Sequence, residues 1–248
     1  MSFDLTSIQS VAEISKSRAK IFTIFGDAGL GKTTLASTFP SPVFIRAEDG
    51  LSSLSDRQDI KAFPVVKKSE DILDQARALW KEEHPFKTVV LDSITKLDSL
   101  IQDEIIKDAG TKNLAQAYGG FGAGYGAVSA RHYEIRNKLG FLADKGINIV
   151  FIAHSTTKEI SLPDEPSFAK YTCEMHEKSL KNYIHDVDVV GFLKLKVVLN
   201  KEGKATNTQE RELVCHATPS NISKNRLVPP IDKALKIEKG VNPFADYL

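Results

Sequence analysis

Apolar residues in this chain form two kinds of run. Some are short and nearly continuous: Lys20 to Phe25 (KIFTIF), Pro42 to Ala47 (PVFIRA), Lys87 to Asp92 (KTVVLD) and Ile147 to His154 (INIVFIAH). Runs of this length without polar alternation predict strands of a sheet covered on both faces. Between them, apolar positions recur at helical spacing. Ile72, Leu73, Ala76, Leu79 and Trp80 mark one helix, opened by Ser69, Glu70 and Asp71 and ended at His84-Pro85. Ile94, Leu97, Leu100, Ile101 and Ile105 mark a second, and Val128, Ile135, Leu139 and Leu142 a third. A further apolar helix is expected after the first strand, running through Phe39 and stopped by Pro40 and Pro42.

Strand alternating with helix over residues 20–154 predicts an α/β fold: a mostly parallel central sheet with helices on both faces. The pattern then changes. FLKLKVVL (192–199) and ELVCHA (212–217) predict an antiparallel hairpin across the polar stretch 200–210, extending one edge of the sheet. Five glycines between Gly119 and Gly126 predict a flexible loop. Residues 1–19 read as an amphipathic lead-in, with Thr6 and Gln9 at capping-box spacing. Residues 231–248 read as a tail, and its end, Asn242 to Leu248, can dock on its own sheet or on a partner. With no internal repeat and no linker, residues 1–248 are expected to form a single domain.

Composition narrows the class. The chain has 248 residues, 42% hydrophobic and 26% charged, which excludes disordered and collagenous classes. Its two cysteines, Cys173 and Cys215, are too few for a disulfide framework and fit a reducing compartment. Cys173, His176 and His185 lack a second ligand pair at zinc spacing. The opening MSFDLTSIQS has no basic-then-apolar signal pattern, and the longest apolar stretch, Ile149 to Ala153, is too short to span a bilayer. A soluble cytoplasmic protein without a membrane partner is expected. A net charge of +1 excludes a polyanion binder as a whole, although Lys194 to Gly240 holds ten Lys/Arg against five Asp/Glu.

The chemistry concentrates after the first strand. Gly26-Asp27-Ala28-Gly29-Leu30-Gly31-Lys32-Thr33, followed by Thr34, matches GxxxxGK[ST] between a strand and a helix. The glycines let backbone N–H groups wrap a phosphate as an anion nest, and the following helix adds its positive end. Lys32 would reach the β and γ phosphates, and the Thr33 hydroxyl would ligate Mg²⁺. Asp92, ending an apolar strand, has the position of a carboxylate that completes the metal shell; an Asp there is also a common helix N-cap, and the two roles can coexist. The guanine signature DxxG fails at Asp92-Ser93-Ile94-Thr95, so ATP is the expected nucleotide. Ser93 stands where many such ATPases carry a catalytic Glu, so the base must come from elsewhere. Glu48 at the tip of the second strand is the first choice, with Asp49 in reserve; each reaches the crevice if that strand lies beside the first. His154, at the tip of the fourth strand, can contact the γ-phosphate and report its loss.

Together these residues resemble the RecA-like ATPase core and, more narrowly, phage-encoded RecA-like nucleotide-binding proteins of single-strand annealing and recombination. The likeness spans roughly Ile21 to Pro230. It implies a self-assembling ring or filament with active sites shared between subunits, acting on single-stranded DNA in the cytoplasm, that of a host cell if phage-encoded. A single-strand-binding or other recombination protein would be a further partner. Lys224 and Arg226 would then be basic fingers reaching a neighbour's site. The family's DNA loops correspond to Gly110 to Gly126, with Lys112, Tyr118, Phe121 and Tyr125, and to Thr156 to Asp186, with Phe168, Lys170, Tyr171, Lys178, Lys181 and Tyr183. Two other readings compete. One is a P-loop small-molecule kinase, disfavoured because Thr156 to Asp186 contains no arginine for a lid. The other is an ATP-gated scaffold that binds nucleotide and hardly hydrolyses it.

Overall fold

The computed structural model describes residues 18–199 and 205–248, together with Thr6, Ile8 and Ser10. The rest of the lead-in, Gln9 included, and the segment 200–204 of the predicted turn lie outside the described residues.

Ten strands form the sheet: β1 (Ile21–Gly26), β2 (Pro42–Arg46), β3 (Lys61–Ala62), β4 (Thr88–Asp92), β5 (Asn148–Ile160), β6 (Phe168–Cys173), β7 (Val189–Leu199), β8 (Ala205–Val214), β9 (Lys224–Asn225) and β10 (Leu235–Ile237). The helices are α1 (Lys32–Ala36), α2 (Ser69–Lys81), α3 (Ile94–Asp108), α4 (Ala123–Asp144) and α5 (Glu177–Ile184). The order along the main sheet is β10-β8-β7-β1-β5-β4-β2-β3. From β7 to β3 all neighbours are parallel, while β8 and β10 add an antiparallel edge. The predicted fold class holds.

Alternate residues of the central strands serve two cores. Ile21, Phe25, Val43, Ile45, Val89, Leu91, Ile149 and Phe151 face α2–α5, whose buried positions include Ile72, Ile101, Ile135 and Leu180. Phe22, Ile24, Phe44, Val90, Val150 and Ile152 face the other way. That second face carries helix too, but little of it. Its cover is the five-residue α1, with Leu35 and Ala36, the 3-10 turn Leu51–Leu54, and then non-helical chain that includes Phe39, Leu227, Ile231 and Phe244. The tail therefore docks on its own sheet. Phe244 is fully buried, with ring centroids 4.8 Å from Phe22 and 6.0 Å from Phe39.

Other boundaries differ for local reasons. α1 ends at Ala36, short of Phe39. Trp80 lies off the buried stripe of α2, 43% exposed, under the Lys145 ammonium. Gly124 and Gly126 belong to α4; a Cβ on Gly124 would sit 2.3 Å from the Leu114 carbonyl oxygen, so close packing demands glycine there. β8 begins at Ala205, so part of the expected turn is strand.

Two ribbons overrun the sheet. Gly26 pairs with His154 on one side and Leu193 on the other, so β5 and β7 continue past the end of β1. The β5–β6 ribbon (Ser155 to Cys173) and the β7–β8 ribbon thus flank the glycine turn. The first was not expected, because Thr156 to Ile160 has no core to face and shows no apolar alternation.

Candidate nucleotide-binding site

β1 delivers the turn Gly26 to Thr33 to the carboxyl end of the sheet, where open α/β folds bind ligands. Gly29 (φ 79°) and Gly31 (φ 86°) adopt left-handed backbone that other residues take only with strain, which is why the motif needs glycine there. Asp27, Ala28 and Gly29 form an exposed crest, and Leu30, Thr33 and Thr34 are half-buried. Lys32 is buried, and its ammonium donates to the carbonyls of Gly26 and Asp27, each at 2.9 Å. It spans the mouth of the turn from below. Burial lowers its pKa, while the charges of Asp92, Glu48 and Asp27 pull the other way.

The Thr33 hydroxyl donates to Asp92 Oδ2 at 2.7 Å, bringing together the two residues assigned to a metal. The N-cap of α3 is Ser93, whose hydroxyl accepts from the Lys96 N–H at 3.3 Å, so Asp92 is free of that duty. Burial raises the pKa of Asp92, and the Thr33 hydrogen bond only partly opposes it. A hydroxyl and a carboxylate are hard oxygen donors, the set Mg²⁺ takes, and a cation would relieve a desolvated carboxylate. The residues therefore fit the expected ion.

Glu48 arrives by a route that corrects the expected one. β2 is not beside β1: β5 and β4 lie between them. Past the end of β2 the chain instead leans over β4, with the N–H groups of Ala47 and Glu48 donating to the Asp92 carbonyl at 2.8 and 3.4 Å. Glu48 Oε1 lies 3.6 Å from His154 Nε2. The interaction with His154 holds the Glu48 carboxyl below its ordinary value, against the opposing effect of burial; Ser93 and Lys32 add to the lowering. Asp49 points away, 83% exposed at its side chain and paired with Arg46. His154 is held at its backbone by the Thr95 hydroxyl, which accepts its N–H at 3.0 Å.

Lys32, Thr33, Asp92, Glu48 and His154 thus converge on one crevice. Lys224 and Arg226 do not join them. β9 pairs with the start of β7, and both side chains donate to the His185 carbonyl, at 2.7 and 3.0 Å, away from their own glycine turn. Residues that sequence reasoning missed also touch the turn. Ser155 donates to Asp27 Oδ1, and Arg211 Nη1 donates to the Leu30 carbonyl at 3.1 Å. The hidden signal for Arg211 was parity: it shares a strand face with Leu213 and Cys215, the face that carries α1.

Cys173 is buried and its thiol pKa raised by burial, while His176 N-caps α5 and stacks on Tyr125. No cluster of three His, Cys, Asp or Glu able to hold a metal occurs among the described residues.

A glycine turn closed by Lys32-Thr33, with a carboxylate waiting at a nearby strand end, defines a P-loop NTPase. Residues 18–227 match the AAA domain family, and the chain belongs to it. Domains of this family are generally ATPases and typically bind ATP with Mg²⁺. No curated protein matches the chain. Among the described residues no helix is long and apolar enough to cross a membrane.

Proposed function

We propose that this protein is a cytoplasmic, Mg²⁺-dependent ATPase of RecA-like character that assembles with copies of itself and acts on single-stranded DNA in phage recombination or annealing. The observation that carries the ATPase reading is the convergence of Lys32, Thr33, Asp92, Glu48 and His154 at one point. Lys32 and the N–H groups of the glycine turn hold the phosphates. Thr33 and Asp92 hold Mg²⁺, which supplies charge neutralisation along the phosphate chain. Glu48, kept ionised, orients and deprotonates the attacking water. His154 sits between that carboxylate and the β5–β6 ribbon, so it can pass a change at Glu48 to the ribbon.

The DNA reading draws support from the surface. Tyr118, Gly119, Gly120, Phe121 and Gly122 all have positive φ, and they present Phe121 wholly exposed. Two non-glycine residues in left-handed backbone are costly, and an exposed aromatic held that way suits stacking on a base. The two expected loops meet: the Lys178 ammonium approaches Gly122, and Tyr125 stacks on His176. Tyr171 is 40% exposed, and Lys170 lies across the β5–β6 ribbon from Lys158, whose ammonium is already paired with Glu177, so Lys170 is the cation of this pair left for a phosphate. Tyr183 takes no part, being fully buried. Arg226, exposed and remote from its own turn, suits a finger for a neighbour. The test is ATP turnover with and without single-stranded DNA, alongside mass in solution. Turnover that rises with DNA in an oligomer supports the reading. A monomer whose turnover ignores DNA overturns the DNA and assembly parts.

A further inference from the structure

Arg211 stands beside the glycine turn on a frame too well fixed to be incidental. Its backbone lies in the interior of the antiparallel edge, paired with Leu195 on β7 and Ile237 on β10. Immediately beyond it the β7–β8 register jumps: Leu195 faces Arg211, but Val197 faces Asn207. Such a bulge bends a strand and re-aims its side chains, and bulges recur beside active sites. Arg211 itself keeps the regular register that runs through Leu213, on the near side of the bulge, and its guanidinium lies against the turn. Nη1 donates to the Leu30 carbonyl at 3.1 Å and lies 2.4 Å from where a Cβ on Gly31 would sit. Gly31 is thus glycine for two reasons, its φ of 86° and the arginine occupying its side-chain space.

The charge arrangement around Arg211 points to a ligand. The acids flanking it on β8 are already engaged: Glu212 pairs with Lys194 at 3.2 Å and Glu210 with Lys196 at 3.1 Å. No described carboxylate pairs with Arg211, which is half-buried. A guanidinium offers five donors in a planar fork, and the Leu30 carbonyl takes one. A partly desolvated cation without a counter-ion, at the rim of a phosphate-binding turn, has its natural partner in the phosphates.

We infer that Arg211 is a second cation of the nucleotide site: it braces the turn through Leu30 and gives its remaining donors to the phosphate chain. The β7–β8 ribbon is thereby tied to nucleotide occupancy. This inference rests on the nucleotide-binding reading above and adds a residue to that site from outside its motif.

Calorimetric titration of the whole chain with Mg·ATP, and separately with inorganic tripolyphosphate, tests it. Arg211→Ala should weaken both titrants roughly 10- to 100-fold, the range for hydrogen bonds to charged groups. Arg211→Gln keeps an amide donor, on a side chain two bonds shorter, but carries no charge. It should remain at least about 10-fold weak, and it decides the matter if the alanine variant does not fold. Wild-type affinity in Arg211→Gln would reduce the residue to a brace for the turn and overturn the inference. So would wild-type affinity in Arg211→Ala. If Lys32→Ala loses binding while both Arg211 variants keep it, the nucleotide reading survives and this one falls. If the wild type takes up neither titrant, both fall.

Discussion

The two ends of the parallel sheet put polar side chains, an aspartate at each among them, to different uses. At the amino ends of the strands, side chains close off the backbone. The Asp188 carboxylate accepts the Ile21 N–H at 2.8 Å, Asn148 accepts the Lys20 N–H at 2.9 Å, and the Thr88 hydroxyl donates to the Pro40 carbonyl at 2.8 Å. Each polar atom there satisfies a main-chain group that the sheet leaves over. At the carboxyl ends, Lys32 also meets main-chain carbonyls, but the other side chains face one another. Asp92, Glu48, Lys32 and His154 share a crevice, where burial lowers the pKa of Lys32 and raises that of Asp92, and the interaction with His154 lowers that of Glu48. An aspartate at a strand end is therefore structural at one end and chemical at the other, and strand direction decides which.

Two substitutions sharpen that contrast. The larger effect is expected at the carboxyl end. Glu48→Gln should bind ATP nearly as the wild type does and lose roughly 100- to 10,000-fold in turnover, the usual contribution of a general base. The lowered pKa fixes the sign of its pH dependence: activity through this group falls only as pH drops below the ordinary 4.5 of glutamate, and is full above it. A single-turnover assay checks both points. Unchanged turnover would remove the carboxylate from the chemistry. The smaller effect is expected at the other end. Asp188→Ala strands the Ile21 N–H and should cost about 1–3 kcal/mol in urea denaturation, with nucleotide affinity untouched. A variant that kept its stability and lost affinity would erase the distinction.

The faces of the sheet show how much the sequence carried. The helical face was legible in α2, α3 and α4, which repeat apolar residues at a spacing that only a helix turns into one stripe; α5 was not, because it lies inside Thr156 to Asp186, the segment expected to be a DNA loop. The opposite face was not, since Phe39, Leu227, Ile231 and Phe244 come from irregular chain with no period to read. In the site, the glycine turn and Asp92 were legible because their chemistry is local to a strand and its following turn. The path of Glu48 was not. Four equally apolar strands do not announce their order, and β5 and β4 separate β2 from β1. Arg211 was hidden between the polar stretch 200–210 and the strand expected from Glu212, because a ribbon overrunning the sheet has solvent where a strand's core face should be.

The central claim is that the turn Gly26 to Thr33 grips a triphosphate with Lys32 at its mouth. Equilibrium titration with Mg·ATP, comparing the wild type with Lys32→Ala, tests it most directly. Saturable binding by the wild type, weakened by at least about 100-fold in the variant, is the predicted result. Equal affinity in the two proteins, or no uptake by either, would contradict it.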